Sequence, residues 1–468
     1  MPVNSFDDYP MSWKPDRASL ARPVYKSLAE RLERDISDGT LAPETKLPPQ
    51  RELADYLDIN FTTVTRAYKI AEMKGLIYAV TGRGTFVSPS TKGVGIVMAG
   101  DVPKGVIDLA PVSSFEQTND IILDCARRVM RRSYADQLLN YYNPYGLPHQ
   151  IAAGVNWVKQ FGINTDQDHL ILTTGAQNAM TTILLSLFEA GDKIAVEEFS
   201  YSNFISMAKK MSLQMVPVAC DSKGMTPGAL DAACRKGDVK GIFLMPTCCN
   251  PTSVMTTDVR RRALANVIRH HDLKVIEDDA YAFISLNDKS LACEPFLNLL
   301  PERTIHISSI SKPICSGLRV AFMIYPDEYA KTLRNSYTDL NVKTPSIDAE
   351  IATEAILSGD AYKVMNIKLD LAVKVNNLFK EVFGRNVCIG HPKSPFRWLP
   401  IESDDDFRVT EKKLLDAGVK VFHSARFFSK RTLPDQFLRV SLTNTADMKE
   451  LRTGLEILRD NVKVKQPD

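Results

Sequence analysis

The chain has few of the features that mark membrane, disulfide-linked or metal-bound proteins. None of its 468 residues falls in a run of 18 or more apolar residues, so no transmembrane helix is expected. Residues 1–15 contain no apolar stretch, so they do not resemble a signal peptide. The eight cysteines form no C-x-x-C pair and no Cys/His zinc spacing, so neither a disulfide framework nor a metal site is expected. These absences favour a reducing, cytoplasmic location.

The chain also lacks a strong charge of either sign. It carries 58 Lys and Arg against 56 Asp and Glu, which argues against a polybasic protein while allowing local basic patches. With 44% hydrophobic and 24% charged residues, the composition is that of an ordinary globular protein and not of a disordered one. The length predicts about three domains, or one large and one small.

Three segments differ in pattern. Residues 20–88 read as short helices followed by a Gly-rich hairpin, and residues 108–462 alternate apolar strand-like runs with helical segments. The second pattern predicts an α/β fold with a parallel sheet and crossover helices. Between them, residues 89–107 are rich in Gly and contain Pro and Ser, which is typical of a linker.

The N-terminal segment predicts a winged helix-turn-helix. Apolar periodicity indicates helices over residues 24–36 and 50–57, and a third helix after Asn60, which is a suitable N-cap. A hairpin follows around residues 81–84. The third helix is expected to enter the major groove of DNA, and the side chains predicted to contact DNA are Arg51, Asn60, Thr62, Thr63, Thr65, Arg66 and Arg83.

Two interpretations of this segment stay open on pattern alone. Residues 61–92 hold five basic side chains and one acidic one, which suits contacts to phosphates. Three amphipathic helices could instead form a small cap on an enzyme. The residues at 23–25, 46–54, 63–68 and 82–87 together resemble the DNA-binding domain of GntR-family regulators. Phe61 departs from that resemblance, because many members carry Arg at this position. The departure bears on which DNA bases are preferred and not on DNA binding itself.

Four motifs in the larger segment indicate a ligand site, although each has an ordinary structural explanation. Residues 169–177 run from an apolar strand through Gly175 into a helix, whose N-terminus can bind an anion. A buried strand ends at Asp278 and Asp279, where parallel sheets place ligands. Helix capping and plain strand–turn–helix connections would explain both patterns equally well.

The other two motifs supply a lysine and two arginines. Residues 308–312 bring hydroxyls next to Lys312, and Arg319 follows seven residues later, so the group could surround a phosphate while a buried Lys312 forms a Schiff base. Arg439 lies in a β-prone run and could hold a carboxylate. A solvated lysine and an edge-strand arginine are the simpler alternatives.

In this order the motifs resemble fold-type I, aspartate-aminotransferase-like pyridoxal phosphate proteins. The resemblance implies a large transferase domain with a smaller C-terminal α+β subdomain. It also implies that Lys312 carries the internal aldimine, that Asp278 pairs with the pyridinium nitrogen and that Arg439 holds an α-carboxylate. The remaining cofactor contacts that it implies are Ala176, Gln177, Ser309, Ser311 and Arg319 at the phosphate, Asn250 and Tyr281 at the ring oxygen, Tyr201 on the ring face, and Tyr142 at the phosphate of the partner subunit.

Two departures from this resemblance concern the ligand. Ser253 replaces the usual Gly after Pro-Thr, and residues 423–425 stand where relatives commonly have a Pro-Gly turn, which predicts an altered effector pocket. Both halves together resemble the MocR subfamily of GntR-family transcription regulators. The resemblance implies a homodimer that binds double-stranded DNA and responds to an amino compound, or to pyridoxal phosphate itself, through aldimine chemistry. The alternative is an active aminotransferase with an accessory N-terminal domain.

Overall fold

The chain divides into two compact units, Met1–Gly93 and Val94–Asp468. The computed structural model describes residues 11–37, 40–42, 45–73, 76–80, 84–87, 103, 105–141, 143–385, 387–388, 390–428 and 435–465. Two of the predicted site residues, Arg83 and Tyr142, and most of the predicted linker lie outside these described residues.

The first unit contains three helices and a two-stranded antiparallel hairpin. Its elements are α1 (Val24–Ser37), α2 (Gln50–Leu57), α3 (Phe61–Met73), β1 (Ile77–Val80) and β2 (Gly84–Val87). Leu28, Leu53 and Val64 bring one apolar face of each helix into a common buried core. The arrangement is the winged helix-turn-helix that the apolar periodicity predicts, with α3 as its third helix.

The second unit is built around a seven-stranded sheet. The strands of the whole unit, including those outside this sheet, are in chain order β3 (Ile107–Asp108), β4 (Leu170–Thr173), β5 (Lys193–Glu197), β6 (Gln214–Val218), β7 (Cys220–Asp221), β8 (Gly224–Met225), β9 (Val239–Leu244), β10 (Lys274–Asp278), β11 (Thr304–Ser309), β12 (Ala321–Ile324), β13 (Phe396–Glu402), β14 (Val419–Lys420), β15 (Phe422–His423), β16 (Gln436–Ser441) and β17 (Lys463–Val464). The large sheet has the order β4-β12-β11-β10-β9-β5-β6.

One strand departs from the predicted parallel direction of the sheet. β12 runs antiparallel to both of its neighbours, β11 and β4, whereas the other pairs in this sheet are parallel. The connection from β11 to β12 contains no crossover helix. None is needed, because two antiparallel strands can be joined by a short connection. Lys312 lies in this connection.

Twelve α-helices of the second unit cover the sheets. They are α4 (Asn119–Val129), α5 (Pro148–Lys159), α6 (Ala176–Leu187), α7 (Ser202–Lys210), α8 (Pro227–Lys236), α9 (Asp258–His270), α10 (Phe296–Leu299), α11 (Asp327–Asn341), α12 (Ser346–Ser358), α13 (Asp360–Phe383), α14 (Phe407–Asp416) and α15 (Met448–Asn461) among the described residues. The strands β4, β5, β10, β11 and β12 are buried almost throughout, as expected for a sheet with helices on both faces.

A smaller α+β subdomain follows at the C-terminal end. Its antiparallel sheet has the order β15-β16-β13-β17, and β14 pairs with β3 from the beginning of the unit. The long helix α13 and helix α15 pack on this sheet through a second apolar core that includes Leu399, Leu438 and Leu455. Among the described residues, no helix is long and apolar enough to cross a membrane.

Candidate functional site

The carboxyl ends of the parallel strands meet at one edge of the large sheet, which is where open α/β sheets bind ligands. A cavity of about 390 Å³ lies there. It is lined by every predicted cofactor or carboxylate residue that the structure describes: Ala176, Gln177, Tyr201, Asn250, Asp278, Tyr281, Ser309, Ser311, Lys312, Arg319 and Arg439. Residues far apart in the sequence therefore converge on one site.

One end of the cavity is arranged to receive an anion. Helix α6 begins at Ala176 without a side-chain cap, so its first N–H groups face outward. Arg319 donates from Nη1 to the Ser311 hydroxyl at 3.2 Å. Gly175 has φ of 79°, and a Cβ atom there would lie 2.7 Å from Nη2 of Arg319. The absence of a side chain at Gly175 is thus what lets the guanidinium approach the helix N-terminus.

The Asp278 carboxyl group lacks a partner on one oxygen. Its Oδ1 atom is buried and accepts no hydrogen bond from the described part of the chain. Burial, with a further contribution from the neighbouring Asp279, raises the pKa of Asp278 to about 7. A buried carboxyl oxygen without a donor is costly, so the geometry calls for a proton-bearing group from outside the chain at this atom.

Lys312 points into the same cavity from the connection between β11 and β12. Its Nζ donates to the backbone carbonyl oxygen of Val112 at 2.6 Å. Burial lowers the pKa of Lys312 to about 8, and the positive charges of Arg439 and Arg319 add to this effect. A lysine with a lowered pKa has a larger fraction of neutral, nucleophilic amine near neutral pH.

Arg439 is almost fully buried and forms no ion pair within the described chain. Its Nη1 donates to Oδ1 of Asn250 at 2.9 Å and its Nη2 to the carbonyl oxygen of Ala110 at 2.6 Å, while Nε has no partner. The guanidinium lies over the rings of Phe422 and Phe427 at 5.5 and 4.7 Å. A buried cation held only by neutral acceptors is suited to an anionic ligand such as a carboxylate.

The two tyrosines complete the walls. Asn203 donates from Nδ2 to the Tyr201 hydroxyl at 3.1 Å, and burial raises the pKa of Tyr201 to about 12. Tyr281 is buried with its ring 5.6 Å from that of Phe396. Both phenols are therefore neutral at physiological pH.

This set of donors fits pyridoxal phosphate. The helix N-terminus, hydroxyls and Arg319 match a phosphate, the unpartnered Asp278 oxygen matches a protonated pyridine nitrogen, and Lys312 can bind an aldehyde. The fold and the site together define the class as fold type I, the architecture of the aspartate aminotransferases.

Three supporting residues were missed from the sequence. Lys368 of helix α13 is fully buried, and its Nζ donates to the Ser114 hydroxyl at 2.6 Å and to the carbonyl oxygens of Lys312 and Ile314 at 3.2 and 2.7 Å. The only signal in the sequence is that Lys368 has the helical spacing of the apolar residues around it, which the structure places in α13. Val112, which accepts from Lys312, and Ser114 carried no signal at all.

The structure describes both positions at which the sequence departs from the aminotransferase-like resemblance. Ser253 takes the left-handed φ of 59° that favours glycine, and Gly390 packs directly against it, where a Cβ atom would clash with Ser253. His423, Ser424 and Ala425 do not line the Lys312 cavity, but they lie between Phe422 and Phe427, whose rings contact Arg439, so the altered effector pocket stays a prediction. Their polar groups bond locally, with His423 Nε2 2.9 Å from Oε1 of Gln436.

The predicted DNA contacts form a partly exposed surface of the first unit. Arg51, Asn60, Thr62 and Arg66 are exposed, whereas Thr63 and Thr65 are half-buried. Asn60 caps α3, since its Oδ1 accepts from the backbone N–H and hydroxyl of Thr62 at 2.8 and 2.7 Å. The Thr65 hydroxyl donates to Oε1 of Gln50 at 2.8 Å and so joins α3 to α2.

Phe61 has a specific neighbour on this surface. Its ring is 42% exposed, and the guanidinium carbon of Arg51 lies 5.7 Å from its centroid. The aromatic residue that replaces the common Arg therefore stands beside an arginine from the preceding helix.

Comparison with known proteins matches both units. Residues 24–87 match the family "Bacterial regulatory proteins, gntR family", and residues 108–456 match "Aminotransferase class I and II". The chain is 32% identical over 98% of its length, and 98% of the relative's, to the uncharacterized HTH-type transcriptional regulator YdeF of Bacillus subtilis strain 168. It is 26% identical, over 89% of this chain and 94% of the relative, to the vitamin B6 salvage pathway transcriptional repressor PtsJ of Salmonella typhimurium strain LT2.

Solved structures show the same fold for the second unit. A Pyrococcus horikoshii kynurenine aminotransferase superposes with a TM-score of 0.70 at 20% identity, covering 77% of this chain and 91% of the other. Thermus thermophilus LysN, an α-aminoadipate aminotransferase, gives a TM-score of 0.68 at 21% identity, covering 79% and 96%. The chain belongs to the MocR subfamily of GntR-type transcriptional regulators, which join a helix-turn-helix domain to a class I and II aminotransferase domain.

Proposed function

We propose that this protein is a transcription regulator that binds DNA through its first unit and senses an amino compound through pyridoxal phosphate held in its second unit. The observation that carries this proposal is the convergence of Lys312, the unpartnered Asp278 and the unpaired Arg439 on one cavity, in a chain that also has a GntR-type helix-turn-helix. The YdeF and PtsJ relatives are named as transcriptional regulators, which supports this function over a purely metabolic one.

Each residue has a distinct task in this proposal. When bound, pyridoxal phosphate supplies an aldehyde and an electron-accepting ring. Lys312 holds the group covalently, and Asp278 keeps a proton on the ring nitrogen. Ala176, Gln177, Ser309, Ser311 and Arg319 bind the phosphate. Asn250 has its Oδ1 engaged by Arg439, so its Nδ2 is the atom that can donate to the ring oxygen beside Tyr281, while Tyr201 covers the ring.

Arg439 indicates the chemistry of the effector. Its buried guanidinium forms no ion pair in the described chain, so we propose that the effector is an amino compound with a carboxylate. The amine of such a compound would compete with Lys312 for the aldehyde group that pyridoxal phosphate supplies when bound. Pyridoxal phosphate acting as the effector by itself is the second form of the proposal, and the name of PtsJ favours it.

An active aminotransferase is the alternative function. The observation that favours it is that Lys312, Asp278 and Arg439, which transamination requires for proton transfer, electron withdrawal and substrate binding, are all present in the cavity. Mixing the loaded protein with amino acids and a keto-acid acceptor separates the two. Rapid multiple turnover supports the enzyme, whereas a change in absorbance without turnover supports a sensor.

We also propose that the protein is a homodimer in the cytoplasm. Large apolar side chains are exposed on and after helix α4, namely Leu123, Met130, Leu139 and Tyr141, with Leu139 75% and Tyr141 87% exposed. Large exposed apolar side chains that lie close together in the sequence are the kind that an interface between subunits would cover. Two helix-turn-helix units on one dimer raise the effective concentration at paired DNA half-sites. Tyr142 would then reach the phosphate in the partner subunit.

The test of the regulator function is binding of the full-length protein to its own upstream DNA and to random DNA across a range of salt concentrations. Preference for the upstream DNA supports the proposal, and equal binding contradicts it. Lys312→Ala tests the cofactor separately, because it should abolish covalent trapping of pyridoxal phosphate by borohydride. A trapped adduct in this variant would show that another lysine holds the group.

A further inference from the structure

A second cavity of about 390 Å³ lies in the second unit and shares no lining residue with the Lys312 cavity. Its walls come from the end of β5, from the β7–β8 hairpin, and from β13 and β16 of the smaller sheet. The proposed regulator function does not use this cavity.

One wall of the second cavity is aromatic. The rings of Trp398 and Phe437 are nearly parallel, at 13°, with centroids 5.1 Å apart. Phe199 meets them edge-on, with centroid distances of 5.2 and 5.8 Å. Aromatic rings attract apolar groups and also cations, because their faces carry partial negative charge.

A buried carboxylate faces the same space. Glu197 ends strand β5 and is 7% exposed. Its carboxyl group is hydrogen-bonded to the Cys249 thiol and to the backbone N–H of Met225. No Lys, Arg or His of the described residues forms an ion pair with it. Burial raises the pKa of Glu197 to about 7, so a positive charge in the cavity would relieve an unfavourable desolvation.

The other charges around the cavity do not favour an anion. Asp221 forms a bidentate pair with Arg260, with N–O distances of 3.1 and 2.7 Å. Asp435 pairs at 3.0 Å with Lys465, which is the only basic side chain among the described residues that line the cavity. Glu198 also lines the cavity and has an interaction within the chain. Because these other charges have partners within the chain, Glu197 is the acid whose charge a ligand can balance.

We propose that this second cavity binds a small organic cation with an aromatic or apolar body, whose positive charge lies beside Glu197 and whose body packs against Phe199, Trp398 and Phe437. The site is separate from the Lys312 cavity and does not depend on the proposed regulator function. Charge complementarity and the aromatic wall together define the class of ligand.

The test uses benzyltrimethylammonium, which has no N–H group and therefore cannot react with the aldehyde of pyridoxal phosphate. Calorimetric titration of the full-length, cofactor-loaded protein should show saturable binding with one cation per chain. Benzyl alcohol and benzenesulfonate, which share the ring without the positive charge, should bind at least tenfold more weakly. Equal binding of the three compounds would overturn the proposal.

Variants locate the bound cation. Glu197→Gln keeps the shape but removes the charge, and should weaken binding at least tenfold. Asp435→Asn is the matched control, because its carboxylate is exposed and paired with Lys465, and should change affinity less than threefold. Equal losses in both variants would indicate a general surface potential and contradict the proposal.

Tryptophan fluorescence gives a second measurement, which does not require Glu197→Gln to fold. The cation should alter tryptophan emission in the natural protein but not in Trp398→Phe, because Trp13 and Trp157 are buried in other cores. A change that persists in Trp398→Phe, or cofactor absorbance that shifts with the cation, places the ligand elsewhere and refutes the assignment.

Discussion

The buried ammonium of Lys368 donates a hydrogen bond to the backbone carbonyl oxygen of Lys312, with an N–O distance of 3.2 Å. Together with its bond to the carbonyl oxygen of Ile314, this contact ties helix α13 to the backbone of the lysine proposed to hold the cofactor and to the backbone two residues later. Since α13 also packs in the core of the smaller subdomain, the position of Lys312 is connected to that subdomain through one side chain.

Lys368→Met should weaken both the fold and cofactor binding. The change leaves two buried carbonyl groups without this donor, at about 1–3 kcal/mol of unfolding free energy, and loosens the Lys312 backbone. We expect the affinity for pyridoxal phosphate, measured by absorbance, to fall about tenfold. Lys374→Met, at an exposed position of the same helix, is the control. Unchanged affinity in Lys368→Met would show that Lys312 is positioned by other contacts.

The stability of the cofactor-free protein should depend on pH through Lys368. Burial lowers the pKa of this ammonium from its usual 10.5 to about 7. Between these values the unfolded chain binds a proton that the folded chain resists, so the unfolding free energy rises with pH, by at most about 1.4 kcal/mol per pH unit. Urea titrations at pH 7, 8.5 and 10 should give a steeper rise for the natural protein than for Lys368→Met. Parallel curves would contradict this assignment.

Asp278→Asn should separate cofactor capture from cofactor chemistry. The amide cannot stabilise a proton on the ring nitrogen, whereas Lys312 and the phosphate contacts are unchanged. We expect pyridoxal phosphate still to be trapped by borohydride, and its conversion by an amino acid to slow at least a hundredfold, as followed by absorbance. Conversion at the natural rate would remove Asp278 from the proposed role.

Gly175→Ala should impair the phosphate end of the site. A Cβ atom would lie 2.7 Å from Nη2 of Arg319, at a φ of 79° that side chains rarely adopt. The guanidinium must then move away from the helix N-terminus. Affinity should fall more for pyridoxal phosphate than for pyridoxal, which has no phosphate. Equal losses for both aldehydes would show that the phosphate does not bind here.

Substitutions on the first unit should separate phosphate contacts from base contacts. Arg66→Ala should weaken binding to all sequences alike and reduce the slope of log affinity against log salt by about one. Thr63→Ala should change the preferred sequence with little effect on this slope. Arg452→Ala removes a charge from an exposed position in the other unit and should leave binding unchanged. A sequence-dependent effect of Arg66→Ala would instead mark it as a base contact.

The local pattern of the sequence was enough to predict most of the fold. Helix α2 begins and ends where its periodicity indicated, and the winged helix-turn-helix is confirmed by the GntR match. The predicted strand before Gly175 and the predicted strand that ends at Asp278 are both present. A short apolar run that ends in glycine or in acidic residues has few other structures open to it. The antiparallel direction of β12 was not predicted, since periodicity carries no information on strand direction.

The sequence motifs predicted residues that line the cavity, but they did not predict the residues that support those side chains. Eleven of the predicted residues line one space, although their individual roles stay predictions. Lys368 could not be recognised, because its importance arises from backbone carbonyl groups to which no sequence pattern points. Glu197 could not be recognised either, because its surroundings come from parts of the chain that are far apart in the sequence.

The unpartnered oxygen of Asp278 has a consequence for the lifetime of the protein. A buried carboxyl oxygen without a donor lowers the stability of the fold, and any ligand that binds only the folded state shifts the population toward it. Proteases degrade chains that open, so under the proposed function chains without the cofactor would be removed sooner than chains that carry it. The quantity of regulator in the cell would then follow the supply of vitamin B6, before any gene is switched.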